Sequence, residues 1–299
     1  MTRFHSGFVT VVGRPNVGKS TLVNRLVGAK VAITSDRPQT TRSEIRGVRT
    51  TEANQIVFLD TPGLHKPRTA LGERTNQRAL ATLAEVDIVC HVVDGTGAIG
   101  PGDRFVAEAA HRVATPRILV VNKVDRASKA AVAEHLATAS ERLGDYDAFV
   151  PLSATTGDGT DDLLAELEGR LTEGPAYYPD GVVTDQPETV LAAEIVREKL
   201  LALTRDELPH SITVSCEVDE PPEPARDASL LRLRAVVNVE RESQKGMVIG
   251  RGGRVLKEAG TAARQELEAL LGTRIHLETK VRVERDWQRR PASLDRLGY

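Results

Sequence analysis

The sequence predicts an α/β protein in which a doubly wound, mostly parallel sheet is followed by a smaller α+β domain. In the first half, continuous Val, Ile and Leu runs alternate with helix-like segments, as expected of parallel strands that are buried on both faces. The strands are expected at 8–13, 55–60, 86–94, 117–123 and 147–153, with a helix at 19–28. The stretch 173–188 contains prolines and glycines that stop both patterns, so it predicts a linker.

Beyond this linker the order of the elements changes. A helix is expected at 189–204, strands at 211–218 and 230–241, a helix at 254–271 and a strand at 274–285. A chain of 299 residues is typical of about two domains. We therefore predict domains at 1–172 and 189–299, joined by the linker at 173–188.

The bulk composition is that of an ordinary globular protein, with 40% hydrophobic and 27% charged residues. The sequence has no apolar run long enough to span a bilayer, and its N-terminal residues lead straight into the first strand. Neither a membrane span nor a signal peptide is therefore expected. Cys90 and Cys216 lie in strand-like runs, which indicates buried, reduced thiols and a cytoplasmic protein.

The charge of the chain is unevenly distributed. Residues 241–299 carry a net charge of +5, and the remainder of the chain carries −7. A basic C-terminal module indicates a polyanionic partner, although a solvated helix face would explain the same charges equally well.

Residues 13–20, GRPNVGKS, fit the phosphate-binding loop G-x-x-x-x-G-K-[ST], and they lie between a predicted strand and a predicted helix as that loop requires. Two glycines let backbone N–H groups turn toward a phosphate. Lys19 supplies a cation to the outer phosphates, and Ser20 offers a hydroxyl to Mg²⁺. The residues predicted to contact nucleotide here are Gly13, Arg14, Pro15, Asn16, Val17, Gly18, Lys19, Ser20 and Thr21.

The motif NKVD at 122–125 predicts that the base is guanine. The carboxylate of Asp125 can accept hydrogen bonds from the ring N–H and the amino group of guanine, whereas adenine would present an acceptor to it. Asn122 and the stem of Lys123 would brace the base. Ser153 and Ala154 begin a loop after the next strand, and a backbone N–H near Ala154 is expected to reach the guanine oxygen.

The motif DTPG at 60–63 follows a predicted strand and is typical of a sensor for metal and terminal phosphate. Asp60 would hold Mg²⁺ through water, and the N–H of Gly63 would meet the terminal phosphate. Thr61 and Pro62 complete the predicted nucleotide contacts of this motif.

A threonine between the loop and the sensor could close over Mg²⁺ only while the terminal phosphate is present. Thr40 and Thr41 both fit this role; we favour Thr41, and a solvated polar loop is the alternative. The predicted metal residues are thus Ser20, Thr41 and Asp60. The predicted catalytic residues are Lys19, Thr41, Gly63 and Asn16.

Residues 7–170 resemble the translation-factor-like GTPases, with five motifs in order. Many GTPases orient the attacking water with a glutamine directly after the sensor glycine, but here that position is Leu64. Leucine cannot orient water, so we expect slow intrinsic turnover. In related GTPases an asparagine at the position of Asn16 accompanies K⁺ binding, which suggests K⁺ stimulation; alternatively, Asn16 only shapes the loop.

A second glycine-rich stretch, VIGRGGRVLKEAG, covers 248–260. It is not another phosphate loop of the first kind, because no Lys-Ser pair follows Gly253. It is not a dinucleotide fingerprint either, because Val255 stands where the third glycine would fall. The helix after it carries apolar residues at helical spacing and is expected to pack that face in the core: Leu256, Ala259, Ala263, Leu267 and Leu270.

The order of elements around this stretch matches a type II KH domain, in which a G-x-x-G loop holds a nucleic-acid backbone. The low aromatic content of 3% disfavours RNA modules that stack bases on exposed rings. The residues predicted to contact RNA are Lys245, Gly246, Ile249, Gly250, Arg251, Gly252, Gly253 and Arg254.

Across both domains the chain resembles the Era family of bacterial GTPases, in GRPNVGKST, ITSDRPQTTR, DTPGLH, NKVD, LSA, QKGMVIGRGG and the tail DWQRRPASLDRLGY. The resemblance implies a monomeric GTP/GDP- and Mg²⁺-binding factor that binds the 3′ end of 16S ribosomal RNA and assists 30S subunit biogenesis. It also implies, for some members, peripheral association with the inner face of the cell membrane, for which the sequence shows no strong amphipathic basic helix or lipidation signal.

Two other functions use some of the same motifs. A nucleotide-metabolising kinase would share the phosphate loop but would need neither NKVD nor a KH domain. A GTP-dependent RNA-modifying enzyme would need a nucleophile and base, or a Cys/His cluster, after residue 180, and the sequence shows neither.

Overall fold

The computed structural model describes residues 3–35, 37, 40–204, 208–219 and 230–299, without the side chains of residues 209 and 210. This described part of the chain divides into two compact units, Met1–Asp185 and Gln186–Tyr299. The division falls inside the predicted linker at 173–188.

The first unit is a sheet flanked by helices. Its strands are β1 (His5–Val12), β2 (Ile45–Thr50), β3 (Asn54–Asp60), β4 (Ile88–Asp94), β5 (Arg117–Asn122), β6 (Ala148–Pro151) and β7 (Thr172–Glu173). Its helices are α1 (Lys19–Val27), α2 (Ala70–Thr82), α3 (Pro101–Ala110), α4 (Lys129–Leu143) and α5 (Thr160–Glu168). Within the described residues the strand order is β2-β3-β1-β4-β5-β6, and β7 pairs with β1.

The five predicted strands of the first domain are present as β1, β3, β4, β5 and β6, and they pair in parallel. Their Val, Ile and Leu side chains are buried on both faces of the sheet, as the continuous apolar runs indicated. β2 pairs antiparallel to β3 at the edge and was not predicted. Arg46 and Arg49 interrupt the apolar residues of its sequence, IRGVRT, so it lacks the continuous apolar run of a buried strand.

The stretch 174–185 packs against this sheet. Gln55, on β3, is fully buried and accepts hydrogen bonds at Oε1 from the N–H groups of Tyr177 (2.7 Å) and Tyr178 (2.9 Å). The N–H of Val48 on β2 donates to the carbonyl of Val183 at 2.9 Å. Much of the predicted linker is therefore bound to the first unit.

The second unit has a sheet of order β10-β9-β8 within the described residues. Its elements are α6 (Glu188–Leu203), α7 (Leu208–Ser211), β8 (Thr213–Val218), β9 (Leu230–Val239), α8 (Glu242–Ile249), α9 (Arg254–Leu271), β10 (Arg274–Val283) and α10 (Pro291–Arg296). β8 is antiparallel to β9, and β10 is parallel to it. The predicted helix, two strands, helix and strand are present as α6, β8, β9, α9 and β10, and α8 precedes the glycine-rich turn.

The core face of α9 is shorter than predicted. Ala259, Ala263 and Leu267 are fully buried, as expected. The prediction for Leu270 was wrong: it is 40% exposed. Helical spacing alone does not show where the packing of a helix ends, and Leu270 lies in the last turn of α9.

The tail after β10 folds back onto the second unit. Trp287 is fully buried and donates from Nε1 to the carbonyl of Ser211 at 2.9 Å. Its ring stacks on Tyr299 with centroids 5.6 Å apart, and the hydroxyls of Tyr299 and Thr213 are 2.6 Å apart. The tail is thereby part of the core of this unit.

Across the described residues, none of the helices has both the length and the apolar character to cross a membrane.

Candidate functional site

The glycine-rich loop at 13–18 connects the end of β1 to the start of α1. It lies at the carboxyl ends of the parallel strands, where ligands bind in sheets of this type. Gly18 has a φ of 99°, and a Cβ there would come within 2.3 Å of Asn122 Nδ2. Asn16 has a φ of 66°, which asparagine tolerates better than most residues. Lys19 Nζ donates to the carbonyl of Arg14 at 3.2 Å, so the lysine lies across its own loop.

The three residues predicted to hold metal lie together. Ser20 Oγ donates to Asp60 Oδ2 at 2.6 Å and lies 2.9 Å from Thr41 Oγ1. Thr41 Oγ1 also donates to Asp60 Oδ2, at 3.3 Å, and Thr41 is buried. Thr40 instead donates from Oγ1 to the carbonyl of Arg37 at 2.7 Å. The structure thus brings Thr41, rather than the Thr40 hydroxyl, to the predicted metal residues.

Burial shapes the electrostatics of this cluster. It raises the pKa of Asp60 to about 6, against the opposing effects of Lys19 and of the hydrogen bonds from Ser20 and Thr41. It lowers the pKa of Lys19 to about 8, against the opposing effect of Asp60. Asp60 Oδ1 is buried with no hydrogen-bond partner among the described residues. A divalent cation beside Ser20, Thr41 and Asp60 would compensate this buried oxygen, so the residues fit Mg²⁺.

The sensor motif packs directly on the phosphate loop. A Cβ on Gly63 would come within 2.8 Å of the backbone N of Pro15, so only glycine fits this approach. Thr61 is fully buried, and its Oγ1 donates to the carbonyl of Val11 at 2.9 Å, so this side chain binds β1. Pro62 lines a small cavity beside Thr41 and Gly63.

Leu64, which stands where many GTPases have glutamine, is fully buried. Its side chain packs in a cluster with apolar residues of β1, β3 and α2, and its N–H donates to the carbonyl of Gly13 at 3.1 Å. The side chain therefore fills the core instead of facing the phosphate loop.

Asn122 holds the base-recognition loops together. Its Nδ2 donates to the carbonyl of Val17 at 2.8 Å. Its Oδ1 accepts from the N–H of Lys123 at 2.8 Å and from the N–H of Ala154 at 3.0 Å. The Ala154 N–H, predicted to reach the guanine oxygen, thus bonds Asn122 in this structure. Ser153 is fully buried, and its Oγ accepts from the N–H of Thr156 at 3.1 Å.

Lys123 joins two segments at the mouth of the site. Its Nζ donates to the carbonyl of Asn16 and to Asp94 Oδ2, both at 2.7 Å. Asp125 lies in the short turn Val124–Arg126 that follows β5. A cleft of about 500 Å³ opens here and is lined by Asn16, Gly18, Thr21, Thr34, Ser35, Asn122, Lys123, Arg126 and Thr155.

Several lining residues were missed from the sequence. Thr34 and Ser35 lie next to the phosphate loop. They belong to the stretch ITSDRPQTTR, in which only Thr40 and Thr41 were given a role. Arg126 directly follows NKVD and could have been found by extending that motif by one residue. Asp94 was visible as the polar residue that ends the apolar strand β4.

The second glycine-rich stretch forms a sharp turn between α8 and α9. Gly250 has a φ of 74°, and a Cβ there would lie 2.5 Å from Val255 Cγ2, so glycine is required. Gly252 has a φ of 62°, but a Cβ there would meet no described atom within 4 Å. Arg251, Gly252 and Arg254 are exposed.

The other residues predicted to bind RNA surround this turn. Gly246 is exposed on α8, while Lys245, Ile249 and Gly253 are half-buried. Val248 turns into the core, and the neighbouring Met247 is 60% exposed. The end of α8 and the turn therefore present backbone and arginine side chains to solvent on one stretch of surface.

Comparisons with known proteins agree with this arrangement. The family model described as "50S ribosome-binding GTPase" matches residues 8–123, and that described as "KH domain" matches residues 207–288. The protein GTPase Era of Mycobacterium sp. (strain JLS) is 50% identical over 301 residues, which cover 100% of both chains. GTPase Era of Mycobacterium bovis (strain BCG / Pasteur 1173P2) is 50% identical over 302 residues with the same coverage.

Two solved structures are similar over nearly the whole chain. A variant of Aquifex aeolicus Era bound to GDP·AlF4⁻ has a TM-score of 0.94 at 38% identity, with 99% of each chain covered. A structure of Era in complex with MgGDPNP and nucleotides 1506–1542 of 16S ribosomal RNA gives the same TM-score, identity and coverage.

Proposed function

The chain belongs to the Era family of GTPases, and we propose that it is a GTP-hydrolysing switch that binds the 3′ region of 16S ribosomal RNA. In this role it assists rRNA processing and biogenesis of the 30S ribosomal subunit. The observation that carries the proposal is the exposed glycine turn at 250–253, flanked by arginines, in a chain that also has the Ser20–Thr41–Asp60 cluster. The similar Era structure that holds both MgGDPNP and 16S RNA nucleotides supports it.

We assign the nucleotide contacts to the phosphate loop and to the turn that follows β5. The backbone of 13–18 and Lys19 would hold the phosphates, and Asp125 would select guanine. Ser20, Thr41 and Asp60 would hold Mg²⁺, directly or through water; when bound, the ion supplies positive charge to the β- and γ-phosphate oxygens. The Gly63 N–H would report the terminal phosphate.

Hydrolysis requires a group other than Leu64 to assist the attacking water, because that side chain is buried in the core. We assign this assistance to K⁺, bound beside the phosphates with the help of Asn16. The positive φ of Asn16 also supports the alternative that asparagine is present to shape the loop. Intrinsic turnover is expected to be slow in either case.

The switch would act through the segments 36–44 and 60–75. The terminal phosphate would draw Thr41 and Gly63 together over the metal, and this ordering would bias how the second unit meets RNA. Residues 36, 38 and 39 of the first segment lie outside the described residues.

We place the protein in the cytoplasm, as a monomer whose partner is the 30S subunit. RNA binding would use the turn 250–253, whose exposed arginines attract phosphate while the glycines let the backbone approach. Peripheral association with the inner face of the membrane remains an expectation from the family.

Crosslinking in living cells followed by sequencing of the bound RNA tests the proposed function. We expect reads concentrated at the 3′ end of 16S ribosomal RNA. Reads spread over transfer RNA or messenger RNA, with none enriched at that end, would contradict the proposal. The matched control is the Gly252→Asp variant, which should lose the enrichment while the protein is expressed at the same level.

A further inference from the structure

We propose that Asp103 is a positioning residue for the phosphate loop and that it acts through Arg14. The proposal rests on the nucleotide site described above and adds a residue that lies outside the sequence motifs. Asp103 lies in the first turn of α3, which follows β4 in the sequence, whereas the phosphate loop follows β1.

The contact between the two residues is an ion pair with a buried carboxylate. Arg14 Nε lies 3.0 Å from Asp103 Oδ1. The side chain of Asp103 is 1% exposed, and that of Arg14 is 35% exposed. The other carboxylate oxygen, Oδ2, accepts the N–H of Gly100 at 2.9 Å. Asp103 therefore contacts the start of its own helix through Oδ2 and the phosphate loop through Oδ1.

The segment before α3 leaves room for the arginine. A Cβ on Gly97 would lie 3.3 Å from Arg14 Nη2, closer than most side-chain contacts allow. A Cβ on Gly102 would lie 3.7 Å from Arg14 Cβ. The stem and guanidinium of Arg14 thus run along the chain between residues 97 and 103, which fixes the direction in which this loop residue can point.

Fixing Arg14 also fixes the group that holds the loop lysine. The carbonyl oxygen of Arg14 accepts a hydrogen bond from the Lys19 ammonium at 3.2 Å. This oxygen is two covalent bonds from Arg14 Cα, the atom that bears the arginine side chain. Two residues further on, the carbonyl of Asn16 accepts Lys123 Nζ, which also pairs with Asp94 Oδ2 at 2.7 Å. Two carboxylates, at the two ends of the connection between β4 and α3, therefore hold the phosphate loop. Asp103 holds it at Arg14, and Asp94 holds it at Asn16 through Lys123.

The expected consequence is pre-organisation of the loop. A loop already held in its binding conformation loses less conformational freedom when phosphate binds, which favours binding of GTP and GDP alike. Bound phosphates order the same backbone themselves, so the ion pair should matter less once nucleotide is in place. Losing it should raise KM and leave kcat nearly unchanged.

The competing interpretation is that Asp103 only caps α3. The Arg14→Gln variant separates the two, because it removes the charge of the partner and leaves the bond from Gly100 to Asp103 intact. Asp103→Asn keeps an oxygen for that bond and removes the charge on the other side of the pair. Glu108→Gln is the matched control, since Glu108 is an exposed acidic residue of the same helix.

The test measures GDP affinity by calorimetry and KM and kcat for GTP in full-length protein. We expect Arg14→Gln and Asp103→Asn each to weaken GDP binding and raise KM about fivefold, with kcat within about twofold of wild type. The double variant should be no worse than either single variant, and Glu108→Gln should match wild type.

Unchanged GDP affinity in Arg14→Gln would overturn the inference, as would a fall in kcat at constant KM. An effect of Asp103→Asn alone, accompanied by a lower melting temperature, would assign the residue to helix capping and also overturn it. If Asp103→Asn does not fold, Arg14→Gln carries the test. Failure of wild type to bind GDP would instead refute the proposed function, so the two failures are distinguishable.

Discussion

Ser20 Oγ donates a hydrogen bond of 2.6 Å to Asp60 Oδ2, which joins the end of the phosphate loop to the sensor motif across 40 residues of sequence. Thr41 bonds to the same carboxylate oxygen, and the other oxygen, Oδ1, has no partner among the described residues. This relationship joins the three predicted metal residues, of which Thr41 and Asp60 are buried.

The base preference should depend on Asp125. Asp125→Asn replaces one acceptor by a donor, which suits xanthine and opposes guanine. We expect GTP affinity to fall roughly 100-fold and xanthosine triphosphate to become the preferred substrate. Competitive nucleotide binding measures the ratio. The control is Asp145→Asn, at an exposed position between α4 and β6. Retention of guanine preference by Asp125→Asn would remove Asp125 from the site.

The switch threonine should be Thr41. Thr41→Ala removes a hydroxyl from the Asp60 cluster, so we expect hydrolysis at fixed Mg²⁺ to fall by about tenfold or more, with GDP affinity changed much less. Thr40→Ala instead removes a hydrogen bond to the Arg37 carbonyl and should lower the hydrolysis rate less. Hydrolysis rates of the two variants decide between them: a larger loss in Thr40→Ala would reverse the assignment.

Potassium should stimulate turnover through Asn16. We expect GTP hydrolysis by wild type to be roughly tenfold faster in K⁺ than in Na⁺ at equal ionic strength. Asn16→Gly is the informative variant, because glycine adopts the φ of 66° without strain but lacks the amide oxygen. It should hydrolyse GTP equally in both salts. Equal hydrolysis rates of wild type in K⁺ and Na⁺ would contradict a role for K⁺. A K⁺ stimulation that persists in Asn16→Gly would show that Asn16 only shapes the loop.

The second unit should be sensitive to a methyl group at Gly250. Gly250→Ala would place Cβ 2.5 Å from Val255 at a φ of 74°, and we expect a loss of about 2 kcal/mol of unfolding free energy. Gly246→Ala, inside α8 with no described atom within 4 Å of the new Cβ, should be neutral or slightly stabilising. Fluorescence of Trp287, the single tryptophan, reports this unit during urea unfolding. Equal stability of the two variants would contradict the described turn.

Sequence reasoning succeeded where a local pattern has one structural solution. The buried parallel strands have continuous apolar runs, and the phosphate loop has fixed glycine and lysine spacing, so β1, β4 and the loop were predicted within a few residues. The edge strand β2 was missed because Arg46, Gly47 and Arg49 interrupt its apolar residues, as in a loop. The pattern of apolar residues is least informative for a strand that pairs with only one other strand.

The remaining misses depend on contacts between residues far apart in sequence. Nothing near Tyr177 indicates that Gln55 will bind its backbone, so 174–185 was expected to be linker although it packs on the sheet. Nothing near Trp287 indicates that it will bond Ser211, 76 residues earlier. Leu270 has the spacing of a core residue but is 40% exposed. Such features require the three-dimensional path of the chain.

The proposed function requires that the glycine turn of the second unit holds RNA while the first unit holds GTP. Binding of a 16S 3′ RNA fragment and of GTP to wild type and Gly252→Asp tests it most directly, because position 252 is exposed, has space for a side chain, and has a φ of 62° that aspartate tolerates. We expect the RNA affinity of Gly252→Asp to be lower by about 100-fold, because the added carboxylate would face the RNA phosphates, and we expect its GTP affinity and melting temperature to be unchanged. RNA affinity equal to wild type would contradict it.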